Sequence, residues 1–290
     1  ARTFGMEPLF KQVGIYASEG QKYEPVDHEL LFSYTERING QILEEGITEC
    51  GSLASFIAAS TSYSTHGEVM VPFYIFYSMF GFQRVGDQIW ALGDMRGRGF
   101  LLGATAGRTT LNGEGLQHQD GHSLLAAGTV PACVPYDPAY AYEVGIIIEE
   151  GMRRMVTEQE DVFYYLTLYN ENADMPPEPK DANLRQGVLD GLYRVREGAA
   201  RKKKRVRILG SGPMLAQAIS AAEVLEEEHG IAAEVFSATS FELLRRDAVD
   251  CERWNILHPD QEARVPRVAQ ILPAEGGPVI AVTDFMRAVP

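Results

Sequence analysis

The stretch Ala106-Gly107-Arg108-Thr109-Thr110-Leu111-Asn112-Gly113-Glu114-Gly115-Leu116-Gln117-His118-Gln119-Asp120-Gly121-His122 sets hydrogen-bonding and titratable side chains between glycines. Groups of these types hold polar ligands and move protons. The stretch follows an apolar run, residues 100–105, that reads as a strand. Loops at the C-terminal ends of parallel strands are where α/β folds place their sites, so this one is expected to be functional. His118 and His122 stand four apart with Asp120 between them, a spacing that suits a metal on a helix. Gly113, Gly115 and Gly121 argue against a helix, and no metal site is expected. The turn Gly210-Ser211-Gly212 after an apolar run suggests a dinucleotide loop, but Leu215 stands where its third glycine belongs. A tight strand-to-helix turn accounts for these glycines.

The elements that must hold the loop are those of an α/β domain. From about residue 41 to 169, apolar runs alternate with helical patterns, the signature of a mainly parallel sheet flanked by helices. Candidate strands cover residues 70–77, 100–105, 132–136 and 162–168. A helix is expected after Tyr136, with Asp137 as N-cap and Pro138 in its first turn. Val144, Ile147, Ile148, Met152 and Met155 would form its buried face. From residue 170 the pattern breaks, through Met175-Pro176-Pro177-Glu178-Pro179 to the basic run Arg201-Lys202-Lys203-Lys204-Arg205. Residues 176–205 are read as an interdomain linker, and the basic run as a solvated loop. A second α/β unit then starts with a strand at 206–209, a helix opened by Pro213, and strands near 233–237 and 278–282. Leu215, Ala218, Ile219, Ala222 and Leu225 share one face of that helix, which ends at Gly230. No internal repeat is evident.

Composition narrows the class. The 290 residues carry a net charge of −14 and a pI near 4.9, which disfavours nucleic acid and anionic membranes as partners. Cys50, Cys133 and Cys251 are odd in number and far apart, as in a reduced, cytoplasmic chain. No apolar run approaches the roughly 18 residues of a membrane span, since Pro72, Ser78 and Gly81 interrupt the longest. The chain starts at Ala1-Arg2-Thr3-Phe4 and stops at Val289-Pro290. Neither end reads as a natural terminus, and a piece of a longer polypeptide is expected.

Several segments carry a resemblance. Gly40-Gln41-Ile42-Leu43-Glu44-Glu45-Gly46-Ile47-Thr48-Glu49, Pro72-Phe73-Tyr74-Ile75-Phe76-Tyr77-Ser78-Met79-Phe80-Gly81-Phe82-Gln83-Arg84, the segment from Thr109 to His122, and Cys251-Glu252-Arg253-Trp254-Asn255 are together similar to the homodimeric pyruvate dehydrogenase decarboxylating component. That family lies within the transketolase-like thiamine-diphosphate superfamily. The resemblance implies a pyrimidine-binding domain over residues 1–175, then the linker, then the first part of a transketolase C-terminal-like domain over 206–290. It gives Glu49 the role of binding ring nitrogen N1′ of the aminopyrimidine, which requires burial that raises its pKa. Tyr77 and Phe80 match aromatic residues packed on the pyrimidine. Glu114 and His118 match polar groups facing the substrate, and an imidazole titrates near working pH. His122 and Arg84 are read as supporting. Residues 19–34, polar at first and including Asp27, match a mobile active-site loop. Gly86-Asp87 with Asn112 imitates the superfamily's metal motif, but Gln88 breaks it and residues 84–89 read as helix.

The implied activity is oxidative decarboxylation of pyruvate, with thiamine diphosphate and magnesium, and acetyl transfer to the lipoyl group of dihydrolipoyl acetyltransferase. The implied partners are that component with its lipoyl domain and a second subunit of a homodimer. The metal ligands and the diphosphate site belong to a domain this chain lacks, so the chain holds half a site and is expected to be inactive alone. The alternatives are another 2-oxo acid as substrate, transketolase activity, or a fragment that only folds and dimerises.

Overall fold

A computed structural model describes residues 7–26, 28, 34–111, 114–200 and 203–290. The chain divides into two compact units, residues 1–52 and 53–290. In the first, helix α1 (Glu7–Val13) leads to a two-residue parallel pair, β1 (Ile15–Tyr16) with β2 (Glu36–Arg37). Arg37 holds the pair to the end of α1 by donating to the carbonyls of Lys11 (3.0 Å) and Gln12 (3.4 Å). Gly14, at φ +69°, makes the turn between them. The expected mobile loop falls partly outside the described residues, which omit Asp27 and residues 29–33. Helix α2 (Glu49–Ser60) begins in this unit.

After the short α3 (Ser62–Thr65), the second unit is built on two four-stranded sheets. The first contains β3 (Phe73–Tyr77), β4 (Phe100–Ala104), β5 (Cys133–Tyr136) and β6 (Phe163–Thr167) in the order β3-β4-β6-β5, all parallel. The central strands β4 and β6 are buried at every residue, as their unbroken apolar runs require in a sheet covered on both faces. Helix α4 (Gly81–Asp94) returns the chain from β3 to β4 and buries Gly81, Val85, Ile89 and Leu92, one stripe at helical spacing. Residues 84–89 are helical here, as expected, with a kink at Val85. Helix α5 (Ser123–Gly128) precedes β5, and α6 (Ala141–Met152) follows it, ending in a π-turn over Arg153–Thr157.

Helix α6 corrects the sequence reading in two respects. Asp137 is not its N-cap: the helix starts at Ala141, and the Glu143 carboxylate accepts from the Tyr140 (3.0 Å) and Ala139 amides. A carboxylate inside the first turn satisfies two amides that a cap would have served. Ile146, Ile147 and Met155 are buried, whereas Met152 is exposed, because the buried stripe passes through Glu143, Ile147 and Gly151.

The second sheet has the order β10-β8-β9-β7, formed by β7 (Tyr193–Arg196), β8 (Lys204–Gly210), β9 (Ile231–Ser237) and β10 (Val279–Val282). All are parallel except β7, which runs antiparallel to β9. Between these strands run α8 (Met214–Glu227), α9 (Phe241–Leu257) and α10 (Arg267–Ile271). The span read as linker carries helix α7 (Leu184–Leu189) and strand β7, so ordered structure of the second sheet begins well before residue 206. Arg201 and Lys202 of the basic run lie outside the described residues, and Lys204 and Arg205 belong to β8 rather than to a loop. Gly210 allows the chain to turn into α8, since a Cβ there would meet Leu215 Cα at 2.7 Å. Leu215, Ala218 and Ala222 form the buried face of α8. Ser240 caps α9 by accepting from the Leu243 amide at 3.2 Å and donates to the Pro135 carbonyl at 2.7 Å, tying the two sheets together. Cys133 and Cys251 are free thiols.

Candidate active site at the C-terminal edge of the first sheet

Each of the four parallel strands delivers a polar side chain at its C-terminal end: Ser78 after β3, Thr105 after β4, Asn170 just beyond β6, and Asp137 after β5. In each, one side-chain oxygen is buried and lacks a hydrogen-bond partner among the described residues: Ser78 Oγ, Thr105 Oγ1, Asn170 Oδ1 and Asp137 Oδ2. Buried polar atoms are otherwise almost always satisfied. Such a row at one sheet edge marks where a ligand would supply partners. Thr105 adds backbone strain. At φ +51° it sits in the left-handed region that a β-branched residue avoids.

Thr105 opens the polar loop singled out in the sequence. Gly107, at φ +82°, turns the chain, and the Asp120 amide donates back to the Gly107 carbonyl at 3.0 Å, closing the loop at its base. Asp120, fully buried, accepts from the His122 and Ser123 amides (3.0 and 2.9 Å) and the Ser123 hydroxyl, starting α5. The fully buried Tyr165 of β6 donates to Ser123 at 2.8 Å. Asn112 and Gly113 lie outside the described residues. His122 Nδ1 lies 3.8 Å from Asp120 Oδ1.

His118 forms one cluster with the two aromatic residues expected beside it. Its ring lies 5.0 Å from Tyr77 and 5.2 Å from Phe80, both edge to face, and the two aromatic rings are 6.0 Å apart. The Arg84 guanidinium stacks over the Phe80 ring at 4.0 Å. Tyr77 remains 42% exposed, so the cluster has an open aromatic face rather than a closed core. His118 Nδ1 and Glu114 Oε2 are buried and have no hydrogen-bond partner among the described residues. Tyr77, Phe80, Glu114 and His118 are thus all positioned by β3, β4 and the loops following them.

Glu49 belongs to the first unit, where it opens helix α2 next to Gly46, at φ +72°, and a fully exposed Ile47. The burial expected of it is not found, as its exposure is intermediate. Among the described residues no group of three or more His, Cys, Asp or Glu could hold a metal ion.

Two acidic residues at this edge were not recognised as part of it from the sequence. Asp137 accepts from the hydroxyls of Thr167 (2.6 Å) and Tyr169, and burial pushes its carboxyl up to about 6. Asp284, beyond β10, accepts from the Arg108 and Thr109 amides. Its position after a predicted parallel strand was the one available sign.

Residues 1–176 match the family described as the pyruvate dehydrogenase E1 component middle domain, and residues 191–290 match a transketolase-like C-terminal domain. Curated relatives include pyruvate dehydrogenase E1 components of Pseudomonas aeruginosa (55% identical over 99% of this chain), Escherichia coli K12 (53% over 99%) and Mycobacterium tuberculosis (54% over the whole chain). The chain spans about a third of their length, 31–32%. Among solved structures, the transketolase of Leishmania mexicana superposes with a TM-score of 0.63 at 17% identity, covering 86% of this chain and 32% of that one. A split-gene transketolase described as an inactive beta4 tetramer covers 97% of this chain and 86% of its own, with a TM-score of 0.54 at 16% identity. At such identities these structures bear on the fold alone, which is transketolase-like.

Proposed function

The chain belongs to the pyruvate dehydrogenase E1 component middle-domain family, and we propose that it provides the pyrimidine-binding half of a thiamine-diphosphate site that decarboxylates pyruvate. It would do so within a polypeptide of its relatives' length. The observation that carries this reading is the row of unpartnered polar atoms along the first sheet, set beside an open aromatic cluster that contains a histidine. Flat apolar faces flanked by unsatisfied polar atoms fit a planar, polar heterocycle.

Bound thiamine diphosphate supplies the carbon nucleophile and the electron sink of the decarboxylation. This chain's residues bind, orient and move protons. Tyr77 and Phe80 offer the faces on which the pyrimidine rests. Glu49 holds a proton against ring nitrogen N1′, and its burial is completed by groups from outside this chain. His118 and Glu114 face the substrate, with the His118 imidazole exchanging protons at the substrate oxygen. The open Tyr77 face and the half-exposed Glu49 support a site completed by a second subunit. Magnesium and the diphosphate would be held by a domain outside this chain, and no cluster of metal ligands stands among the described residues here. The acetyl group would pass to the lipoyl domain of the acetyltransferase component. No helix among the described residues is long and apolar enough to cross a membrane, and we place the protein in the cytoplasm.

The test uses a polypeptide of the relatives' length that carries this sequence, loaded with thiamine diphosphate and magnesium. Release of carbon dioxide from pyruvate and acetylation of lipoyl domain are expected. A fully loaded protein that leaves pyruvate intact rejects the proposal, and preferential turnover of a different 2-oxo acid changes the substrate.

A further inference from the structure

We propose that Asp284 is a positioning residue for this site: from beyond the end of β10 it fixes the loop that carries Glu114 and His118. The inference rests on the functional reading above for the roles of those two residues, but its geometry stands by itself. Asp284 is 2% exposed, and its carboxylate accepts two successive backbone amides, from Arg108 (2.7 Å) and Thr109 (3.0 and 3.1 Å to the two oxygens). Consecutive amides aimed at one anion form a small anion-binding concavity, and hydrogen bonds to a buried carboxylate are stronger than neutral ones. Arg108 closes the grip from the other side, donating from Nε to the Asp284 carbonyl (2.8 Å) and from Nη2 to the Phe285 carbonyl (2.7 Å). The Met286 amide then donates to Gly121 at the far end of the loop, at 3.0 Å. Phe285 lies in the core beneath the first sheet's helices, which anchors the whole segment.

The approach depends on Gly107. A Cβ at that position would lie 2.1 Å from Asp284 Oδ2, and its φ of +82° also favours glycine. The segment 284–286 therefore grips both ends of a loop whose middle bears the site residues, Asp284 holding the near end through Arg108 and Thr109 and Met286 the far end at Gly121. Asp284 follows a strand of the second sheet, whereas the loop follows one of the first. The later domain thereby sets the geometry of the earlier one.

Asp284→Ala and, as a second variant that leaves the carboxylate in place, Gly107→Ala test the idea by amide hydrogen exchange on this chain. Amides of residues 107–122 should exchange roughly tenfold to hundredfold faster in both, while β4 and β6 keep their protection. Asp284→Asn, which keeps one acceptor oxygen, should fall between. In the long polypeptide the Ala variant should lose about tenfold or more in kcat with a much smaller change in KM. Unchanged loop exchange overturns the proposal. So does acceleration spread equally over loop and strands, which would make Asp284 a residue of the fold alone. If the wild-type protein proves inactive on pyruvate, the functional reading fails while the exchange result still judges Asp284.

Discussion

Ser237, at the end of β9, donates its hydroxyl to the carboxylate of Glu143 at 2.6 Å, joining the second sheet to helix α6 of the first across 94 positions of sequence. Tyr193 of β7 donates to the same oxygen at 2.6 Å, and the Tyr140 and Ala139 amides bond the other. Glu143 is fully buried, and burial raises its pKa while its four donors oppose the rise. A buried carboxylate with this many donors acts as a joint between domains. Its loss would strip the Ser237 hydroxyl and two amides of this acceptor and leave the Tyr193 hydroxyl only its bond with Tyr142. Glu143→Ala should therefore destabilise the chain by about 3 kcal/mol or more, measured by urea denaturation. A change below about 0.5 kcal/mol, the level of an ordinary surface substitution, would remove Glu143 from this role.

Asp137 gives the stability a defined pH dependence. Its carboxyl moves from an ordinary value of 3.8 to about 6, chiefly through burial, so the folded state binds a proton more tightly than the unfolded chain. Its contribution is fully present below about pH 4 and is lost as pH rises through 6, by about 3 kcal/mol for a shift of this size. Asp137→Asn is neutral at every pH and keeps an acceptor for Thr167 and Tyr169. The stability of wild type relative to this variant should decline between pH 4 and 6 and stay level above. A flat difference across that range would mean the carboxyl keeps its ordinary pKa.

The chain alone should bind thiamine diphosphate and magnesium poorly, because no cluster of metal ligands exists among the described residues to hold the ion that would neutralise the diphosphate. Calorimetry reads this directly. Binding in the micromolar range by the isolated chain would place a diphosphate site within it.

In the long polypeptide, Glu49→Gln should lower turnover about a hundredfold or more, since glutamine keeps the size but cannot hold and release a proton at the pyrimidine. Far-UV circular dichroism should be unchanged, as befits a half-exposed residue at a helix start. Near-normal turnover of the cofactor-saturated variant would remove Glu49 from the proton path.

The strands of the first sheet were legible because each is a short apolar run bounded by breakers, and β4 and β6 are buried along their whole length. The loop from Ala106 to His122 was legible from its composition. Strand β7 was not. Its Tyr193-Arg194-Val195-Arg196 lies between a proline-rich stretch and a basic run, and only pairing with β9 makes it a strand. Asp137 looked like a helix cap because it precedes a proline. Its partners Thr167 and Tyr169 become neighbours only when β5 pairs with β6. Asp284 was hidden for the same reason on a larger scale, since its amide partners are 175 and 176 residues away. Burial of Glu49 was inferred from a role, and a role does not report how much of the surrounding site one chain contains.

His118→Ala should separate proton handling on the substrate from activation of the cofactor. His118 packs against Tyr77 and Phe80 with its Nδ1 buried and unpartnered among the described residues, whereas Glu49 stands at the start of α2. Losing the imidazole should leave proton exchange at the reactive carbon of the cofactor nearly intact, because Glu49 serves that step. Acetyl transfer to the lipoyl domain should slow by roughly the hundredfold to ten-thousandfold of a lost general acid or base. His118→Asn, polar but unable to titrate near neutrality, should rescue little of it. Hydrogen–deuterium exchange at that carbon, read beside transfer to lipoyl domain, distinguishes the two steps. If exchange collapses while transfer per activated cofactor is unchanged, His118 belongs to cofactor activation and its assignment to the substrate side is wrong.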